Sequence, residues 1–141
     1  MQLYASVNYA TGLFSIQGNV QSINVKNPLI RIPFLIDTTS PYTSISLNDA
    51  NVIGVDFSQL TEGIIDGNNN QTKMIPNCGI FFLPNKYTGI LEYFDQIAVQ
   101  DIRPRNTKEH DVISKMPSIL GQDFLSRYRI ILQYPYMILE K

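Results

Sequence analysis

Short apolar segments separated by turn-forming residues run along most of the chain. Ile, Tyr, Phe and Val recur within the segments, and Pro, Gly and Asn interrupt them at short intervals. Such a pattern is typical of many short β-strands joined by turns. The segments at 3–10 and 13–20 flank Thr11-Gly12, which predicts a first hairpin that turns at this dipeptide. The pattern as a whole predicts an all-β fold with one or two short helices.

The next apolar segment ends in a carboxylate. In LIRIPFLID, at 29–37, apolar and polar residues alternate first and the segment then becomes continuously apolar, as a strand does when it enters a sandwich or barrel. Pro33 has no N–H to donate to a neighbouring strand, so we expect an irregular or edge position there. Asp37 stands at the inner end, where a carboxylate loses hydration. A carboxylate at such a position is expected either to accept hydrogen bonds from its neighbours or to have a shifted pKa that serves a function.

One short helix and one hairpin are predicted in the middle of the chain. Ser46 or Asn48 can cap a helix that Gly54 ends. The segment 61–76 carries two apolar pairs around a run of loop-forming residues, which predicts a hairpin with a long mobile tip. Two further strands, the first of them predicted to be buried on both faces, are expected at 78–84 and 91–102.

The last part of the chain combines a polar stretch, a helical pattern and two strand-like runs. The stretch 101–111 is the most polar and is predicted to be an exposed loop. In PSILGQDFLSRYR, apolar residues recur at helical spacing after Pro117 and a capping Ser118, which predicts a short amphipathic helix. Two strand-like runs then flank Tyr134-Pro135.

Length and charge limit the classes of protein. The 141 residues suffice for one domain with a real core, and we predict a single domain over 1–141. The net charge is −1 and the basic residues are scattered, so neither nucleic acid nor a membrane surface is an expected partner. No basic-then-apolar leader follows Met1, and no apolar run approaches the roughly 20 residues of a spanning helix. We therefore expect a soluble, unexported, cytoplasmic protein.

The sequence gives little indication of a metal site or of a cysteine or serine nucleophile. Cys78 is the single cysteine, which excludes an intrachain disulfide, and it reads as a small buried hydrophobe rather than a reactive thiol. The single histidine, His110, lies in the polar stretch with no serine or cysteine motif around it, so we expect it in a solvated loop. The remaining acids show no metal-loop spacing, and neither a metal nor a cofactor is expected.

Two segments together resemble a known family. They are IPFLIDTTSPYTSIS and, about eighty residues later, PSILGQDFLSRYRIILQYPYMILE. An apolar strand ending in Asp-Thr, then a helix, a Gly-containing hairpin and Ile-Leu-Gly opening a second helix, is similar to the retropepsin-like aspartic proteases. The second segment is similar to the pattern seen in the bacterial, archaeal and transposon-type members. The resemblance spans 29–141 and implies a small closed β-barrel with one or two short helices and a flap hairpin.

The resemblance implies a catalytic role for Asp37. A single-domain member has one such aspartate per chain, so the active form would be a homodimer in which two Asp37 carboxylates activate a water and hydrolyse a peptide bond. Thr38 resembles the residue whose hydroxyl reaches across the dimer axis, and Ser40 matches a hydroxyl that bonds the outer carboxylate oxygen. Leu120 and Gly121 would lie beneath the aspartate loop, with the glycine allowing close backbone passage.

The same resemblance implies a flap and a peptide ligand. Residues 63–72 would cover the substrate, and an extended peptide or protein segment would be held by backbone hydrogen bonds to strands and flap. No cofactor or metal is implied. The expected flap and substrate-binding residues are Gly63, Ile64, Ile65, Asp66 and Gly67.

The sequence departs from the family pattern at three positions. Thr39 stands where the family has glycine, whose N–H points toward the carboxylates; threonine keeps the N–H, but its β-branch restricts the backbone and adds a methyl and a hydroxyl. Retroviral members often have an arginine just after the glycine that opens the second helix, the place of Gly121 here, and pair it with an acid shortly after the active-site triplet. Gln122 and Pro41 occupy those places, so no orphan charge is left and a different subgroup is indicated.

Several alternatives stay open at the level of sequence. Asp37 can be a simple Asx-turn at a strand end, bonded to the backbone of Thr39 or Ser40. The domain can be a catalytically silent one that binds peptide or dimerises, or an unrelated small β-barrel binding module. The terminal segment IILQYPYMILEK is either an ordinary hairpin or the dimer interface, and the resemblance favours the interface because an unpaired apolar edge invites aggregation.

Overall fold

Strands dominate the fold, which we analysed as a computed structural model. It describes residues 1–64, 71–100 and 106–141, with only the backbone of Ile64 and Gln71. The strands in these ranges are β1 (Gln2–Val7), β2 (Phe14–Gln21), β3 (Ile32–Ile36), β4 (Ser44–Ile45), β5 (Thr61–Ile64), β6 (Gln71–Phe82), β7 (Ile90–Val99), β8 (Ser118–Leu120), β9 (Arg129–Gln133) and β10 (Tyr136–Glu140). The helices are α1 (Leu47–Ile53), α2 (Thr107–Ser114) and α3 (Gln122–Leu125), with a 3-10 turn at Phe57–Gln59.

Six of the strands close into a barrel. Strand β2 pairs with β3 on one side and with β6 on the other, and the ring continues through β7, β4 and β8 back to β3. The pairs β3–β8 and β4–β7 are parallel, whereas the other pairs in the ring are antiparallel. Strand β5 extends the sheet beyond β6, and β1, β10 and β9 extend it beyond β2. The predicted all-β barrel is therefore confirmed.

Aromatic side chains fill the centre of the barrel and hold α3 against it. Phe34, Phe82 and Phe124 are all completely buried. The ring centroid of Phe124 lies 5.4 Å from that of Phe82 and 5.0 Å from that of Tyr128. Aromatic pairs of this kind contribute about 0.5–1.5 kcal/mol beyond the burial of their area. The packing fixes the position of α3, which follows Gly121.

The first hairpin and the first helix are confirmed. Strands β1 and β2 are antiparallel neighbours joined through a turn in which Gly12 has a φ of 72°. In α1, Ser46 is the N-cap and its hydroxyl accepts a hydrogen bond from the N–H of Asp49. Gly54 ends α1 with a left-handed φ of 72°, a conformation that favours glycine.

The position of Pro33 and the second hairpin also agree with the sequence. Strand β3 pairs with β2 at Pro33, but its other neighbour, β8, begins only opposite Phe34. Among the residues that the structure describes, one side of the strand therefore has no partner strand at the proline. Strands β5 and β6 form the predicted antiparallel hairpin, and its tip at 65–70 lies outside the described residues.

The polar stretch at 101–111 was wrongly predicted to be entirely a loop. Residues 101–105 lie outside the described residues, but α2 begins at Thr107 and includes His110, which is exposed. The side chain of Asn106 accepts a hydrogen bond from the N–H of Glu109, so the helix has a side-chain N-cap. No residue of α2 is buried, and the apolar periodicity that reveals most helices is therefore missing.

The predicted start of the last helix, after Ser118, is also wrong. Ser118 belongs to β8 and is completely buried, and the chain becomes helical only after Gly121, in α3. Short apolar runs fit a strand and a helix equally well in sequence, and pairing with β3 decides in favour of the strand. The two terminal strands around Tyr134-Pro135 are confirmed as β9 and β10.

The single cysteine lies in the core, as predicted. Cys78 is 1% exposed, and burial raises the pKa of its thiol to about 12. A thiol with this pKa is protonated at neutral pH and is a poor nucleophile.

A buried carboxylate on β7 was not noticed in the sequence. Glu92 is 5% exposed and accepts hydrogen bonds from Arg127 Nη1 at 3.0 Å, from Lys141 Nζ at 2.7 Å and from the hydroxyl of Tyr128. Burial alone raises the pKa of Glu92, but these donors outweigh it and leave the net pKa below its usual value. The pKa of Tyr128 is raised by burial and by Glu92.

Among the residues that the structure describes, no helix has the length and apolar character needed to cross a membrane.

Candidate active site

Asp37 lies where two parallel strands end side by side. Strand β3 runs parallel to β8, with Ile36 opposite Leu120, and the N–H of Asp37 donates to the carbonyl of Leu120 at 3.2 Å. The chain then turns, and the N–H of Ser40 donates to the carbonyl of Asp37 at 3.3 Å. The Asp-Thr and Leu-Gly motifs, far apart in sequence, are therefore neighbours through backbone hydrogen bonds.

The carboxylate of Asp37 is bound by its own loop. Its Oδ1 accepts a hydrogen bond from the hydroxyl of Thr39 at 2.6 Å and another from the N–H of Thr39 at 2.9 Å. These two bonds, with a smaller contribution from the N–H of Ser40, lower the pKa of Asp37 below its usual value of 3.8, against the opposing effect of burial. The N–H bond is the Asx-turn contact that sequence reasoning considered, and both a catalytic and a purely structural aspartate can make it.

Gly121 lets two backbone segments cross at close range. A Cβ atom added at Gly121 would stand 2.5 Å from the carbonyl carbon and oxygen of Tyr42 and 2.8 Å from the carbonyl oxygen of Ser40. Just beyond it, the N–H of Gln122 donates to the carbonyl of Ser40 at 2.8 Å. Any side chain at 121 would therefore push the start of α3 away from the Asp37 loop.

Thr43 and Asp123 join the same two segments, and sequence reasoning missed this contact. Asp123 Oδ1 accepts from the N–H of Thr43 at 3.0 Å and from its hydroxyl at 2.7 Å, although the residues are 80 positions apart. The hydroxyl also accepts from the N–H of Gly121 at 3.2 Å, and Thr43 is 1% exposed. An acid in the first turn of a helix and a threonine before a strand are both common, so neither residue gave a distinctive signal.

The side chains around the loop make other contacts than the family resemblance implied. The hydroxyl of Ser40 donates to the carbonyl of Tyr42 at 2.9 Å, so the hydroxyl on the Asp37 carboxylate is that of Thr39 and not that of Ser40. Thr38 is exposed, and its carbonyl accepts from Gln122 Nε2 at 2.8 Å. An uncharged hydrogen bond thus joins the loop to α3 at the position where retroviral members carry a charge.

Only part of the predicted flap can be described. Gly63 and the backbone of Ile64 belong to β5 and pair with Thr72 and Gln71 of β6. A Cβ atom added at Gly63 would stand 2.6 Å from the side chain of Met74. The other predicted flap residues, Ile65, Asp66 and Gly67, lie outside the described residues.

A mainly apolar cavity of about 490 Å³ adjoins the strand that carries Asp37. Leu35, two residues before Asp37, lines it, together with Met116 and Pro117 just before β8. Ser46, Asn48 and Asp49 of the α1 region and Lys115 add polar groups. The volume suits one large amino-acid side chain or a short peptide segment.

Metal ligands do not converge in the described part of the chain: no three His, Cys, Asp or Glu side chains there are grouped so as to hold an ion.

Comparison with known proteins identifies the fold. No known protein family's sequence profile matches the chain, and no curated protein matches it in sequence. Among solved structures, it is similar to the crystal structure of a retropepsin-like aspartic protease from Rickettsia conorii, with a TM-score of 0.62 and 18% identity. The similarity covers 99% of this chain and 90% of that one. The chain therefore has the retropepsin-like fold that its two motifs predicted.

Proposed function

We propose that this chain is an aspartic endopeptidase that acts as a homodimer, with one Asp37 from each subunit in the active site. One observation carries the proposal. The Asp37 carboxylate emerges at the paired ends of β3 and β8, and backbone hydrogen bonds join its loop to Leu120 and Gln122, on either side of Gly121. This is a rigid support for a carboxylate that is only half-buried and can face a second copy.

Two Asp37 carboxylates across a two-fold axis would supply the chemistry. Like charges at hydrogen-bond distance do not both ionise, so the pair would share one proton, and its two apparent pKa values would belong to the pair. The ionised carboxylate would take a proton from a shared water, and the protonated one would donate to the scissile carbonyl. The peptide bond would be hydrolysed without a covalent intermediate.

Strand β9 is the surface that we propose for dimerisation. It is an edge strand of the sheet formed by the described residues, with β10 on its other side. Leu132 is 67% exposed and Ile130 is 40% exposed, and Ile130 lies opposite the completely buried Leu139 of β10. The exposed side chains of Ile130 and Leu132 therefore form an apolar surface on β9, and a second copy would cover it.

The substrate of this proposed enzyme would be an extended peptide or protein segment. In this proposal the β5–β6 hairpin would act as a flap and offer its backbone groups to the substrate. The cavity behind Leu35 would take one apolar side chain of the substrate.

A catalytically silent domain that binds peptide or dimerises is the second candidate. Thr39 favours it, because its side chain stands where the family has glycine and its hydroxyl occupies Asp37 Oδ1. A peptide would bind to such a domain at the same place as the substrate of the proposed enzyme, and it would not be cut.

The test is peptide cleavage by the purified dimer and by an Asp37→Asn variant. We expect the unmodified chain to cleave unstructured peptides between acid and neutral pH and to be inhibited by pepstatin-type compounds. Asp37→Asn should abolish cleavage, because the amide neither accepts the proton of water nor shares one with its counterpart. The dimer should stay intact, since the amide oxygen can still accept the bonds of Thr39.

The matched control is Asp111→Asn on the exposed face of α2, which should leave the cleavage rate unchanged. If the unmodified dimer binds peptides but cuts none and ignores these inhibitors, the silent domain is the correct function. Cleavage that survives in Asp37→Asn would reject Asp37 as the catalytic group.

A further inference from the structure

The hydroxyl of Thr39 turns back onto the carboxylate of Asp37, two residues before it. Its hydroxyl oxygen is 2.6 Å from Asp37 Oδ1, a short distance typical of a hydroxyl that donates to a charged oxygen. Its N–H reaches the same oxygen at 2.9 Å. An ionised carboxylate is acceptor-only, so the hydroxyl must be the donor in the ionised state.

We propose that Thr39 is a positioning residue that keeps Asp37 ionised and fixes the plane of its carboxylate through its hydroxyl. This inference rests on the proposed function and deepens it. Glycine at this position would supply the N–H alone. Threonine adds a second donor to the same oxygen, which leaves Oδ2 free of these two bonds for a second Asp37 or a water.

The second donor has a definite effect on proton binding. Donors to the charged form favour ionisation, so each proton that the site binds is released at a lower pH than it would be with glycine. In a dimer, both apparent pKa values of the Asp37 pair would move in this direction. The pH range in which the pair holds one proton, and in which it can act as acid and base together, is therefore moved toward acid.

Other titratable groups around the loop do not supply this effect. Several lie on the loop or on elements packed against it, and none of them hydrogen-bonds Asp37 within the described residues. Asp123 is bonded to Thr43, and one oxygen of Asp49 is bonded to Ser118 at 2.6 Å. The titratable or charged residues on the Asp37 loop and on the segments around α1, α3 and the end of α2 are Tyr42, Asp49, Lys115, Asp123 and Arg127.

The experiment compares the titration of Asp37 in three variants by carboxyl-carbon NMR. Thr39→Val keeps the shape of the side chain and removes the hydroxyl, and Thr39→Ser keeps the hydroxyl and removes the methyl group. We expect the midpoint or midpoints of Asp37 to rise by about 0.5 to 1 pH unit in Thr39→Val and to stay near the unmodified values in Thr39→Ser. Thr39→Gly should resemble Thr39→Val.

The cleavage rate against pH gives the second readout. Its acidic limb should move to higher pH in Thr39→Val and Thr39→Gly and return in Thr39→Ser. Equal Asp37 midpoints in the unmodified chain, Thr39→Val and Thr39→Gly would overturn the inference, and so would a shift in Thr39→Ser as large as in Thr39→Val. The NMR titration needs no turnover, so an absence of cleavage rejects the proposed function separately.

Discussion

Asp37 owes its position to residues far from it in sequence as well as to its own loop. Thr39 binds the carboxylate from within the loop, and Leu120 holds the backbone of Asp37 from β8. Gly121 lets α3 start directly against the carbonyls of Ser40 and Tyr42. The geometry of the carboxylate therefore depends on a contact at which no side chain fits.

Gly121→Ala tests this dependence. The added methyl group would overlap the backbone of Tyr42, which cannot move as a flexible side chain does, so we expect the free energy of unfolding to fall by about 1–3 kcal/mol. Denaturant unfolding measures the loss of stability. The cleavage rate should also fall, even under conditions where the variant is fully folded, because the Asp37 loop is displaced.

Gly12→Ala is the control for this substitution. A Cβ atom at Gly12 meets nothing within 4 Å, so only its positive φ opposes alanine there, at a cost of roughly 1–2 kcal/mol. Unchanged cleavage is expected in Gly12→Ala. A Gly121→Ala variant as stable and as active as the unmodified chain would show that the close contact is unimportant.

At the scale of residues, the sequence predicted the motif residues but not their partners. Asp37, Leu120 and Gly121 belong to short patterns whose order along the chain is distinctive. Thr43 and Asp123 belong to no pattern, and their contact exists because the pairing of β3 with β8 brings distant segments together. The contact depends on tertiary structure, so a single sequence does not reveal it.

Strand β9 is the element on which the proposed dimer depends. Its inner edge pairs along its whole length with β10, from Arg129 opposite Glu140 to Gln133 opposite Tyr136. Its outer edge has no partner strand among the described residues. Apolar side chains on an open edge make β9 suited to pairing with a second copy.

Leu132→Glu should convert the dimer to a folded monomer. Leu132 is 67% exposed, so glutamate costs little in the single chain but would bring two like charges into the interface. Sedimentation should show a monomer, and cleavage should be lost because the two Asp37 residues are separated.

Leu29→Glu is the matched control, since Leu29 is 89% exposed and lies outside the strands. It should leave both the dimer and cleavage intact. A Leu132→Glu variant that stays dimeric would show that the subunits associate through another surface.

At the scale of elements, the success of sequence patterns depended on burial and pairing. The β1–β2 hairpin and α1 were predicted because turn and cap residues mark their ends. The α2 helix was missed because it buries no residue, and β8 was mistaken for a helix start because its partner strand is distant in sequence.

A charged cluster joins distant parts of the whole molecule. Glu92 on β7 binds Arg127 and Tyr128, which follow α3, and Lys141, which follows β10. Arg127 also stacks over the ring of Phe94, 4.7 Å from its centroid. The cluster thus ties the barrel to the segment after α3 and to the end of the β9–β10 hairpin.

Glu92→Gln should destabilise the chain at neutral pH and much less in acid. Removing the charge weakens hydrogen bonds to two cations, and we expect the free energy of unfolding to fall by about 1–3 kcal/mol at pH 7. The pKa of Glu92 is lowered in the folded state, so its contribution is present above the unfolded pKa and is lost as pH falls through the folded pKa. The difference between the two proteins should therefore shrink as pH drops well below 4.5.

Urea unfolding at neutral and acid pH measures this difference. The exposed Glu62 provides the control, because Glu62→Gln should change stability little at either pH. A loss in Glu92→Gln that is the same at both pH values would contradict a stabilising role for the ionised carboxylate.

Mixing subunits tests whether two Asp37 residues, one from each chain, form a single active site. Unmodified and Asp37→Asn chains are mixed in varying proportions, allowed to exchange subunits, and assayed for cleavage at constant total concentration. If each site needs an Asp37 from both subunits, the rate follows the square of the unmodified fraction, and an equal mixture retains about one quarter of full activity. A rate that falls linearly with that fraction, or no cleavage at any proportion, would reject an active site shared between two Asp37 residues.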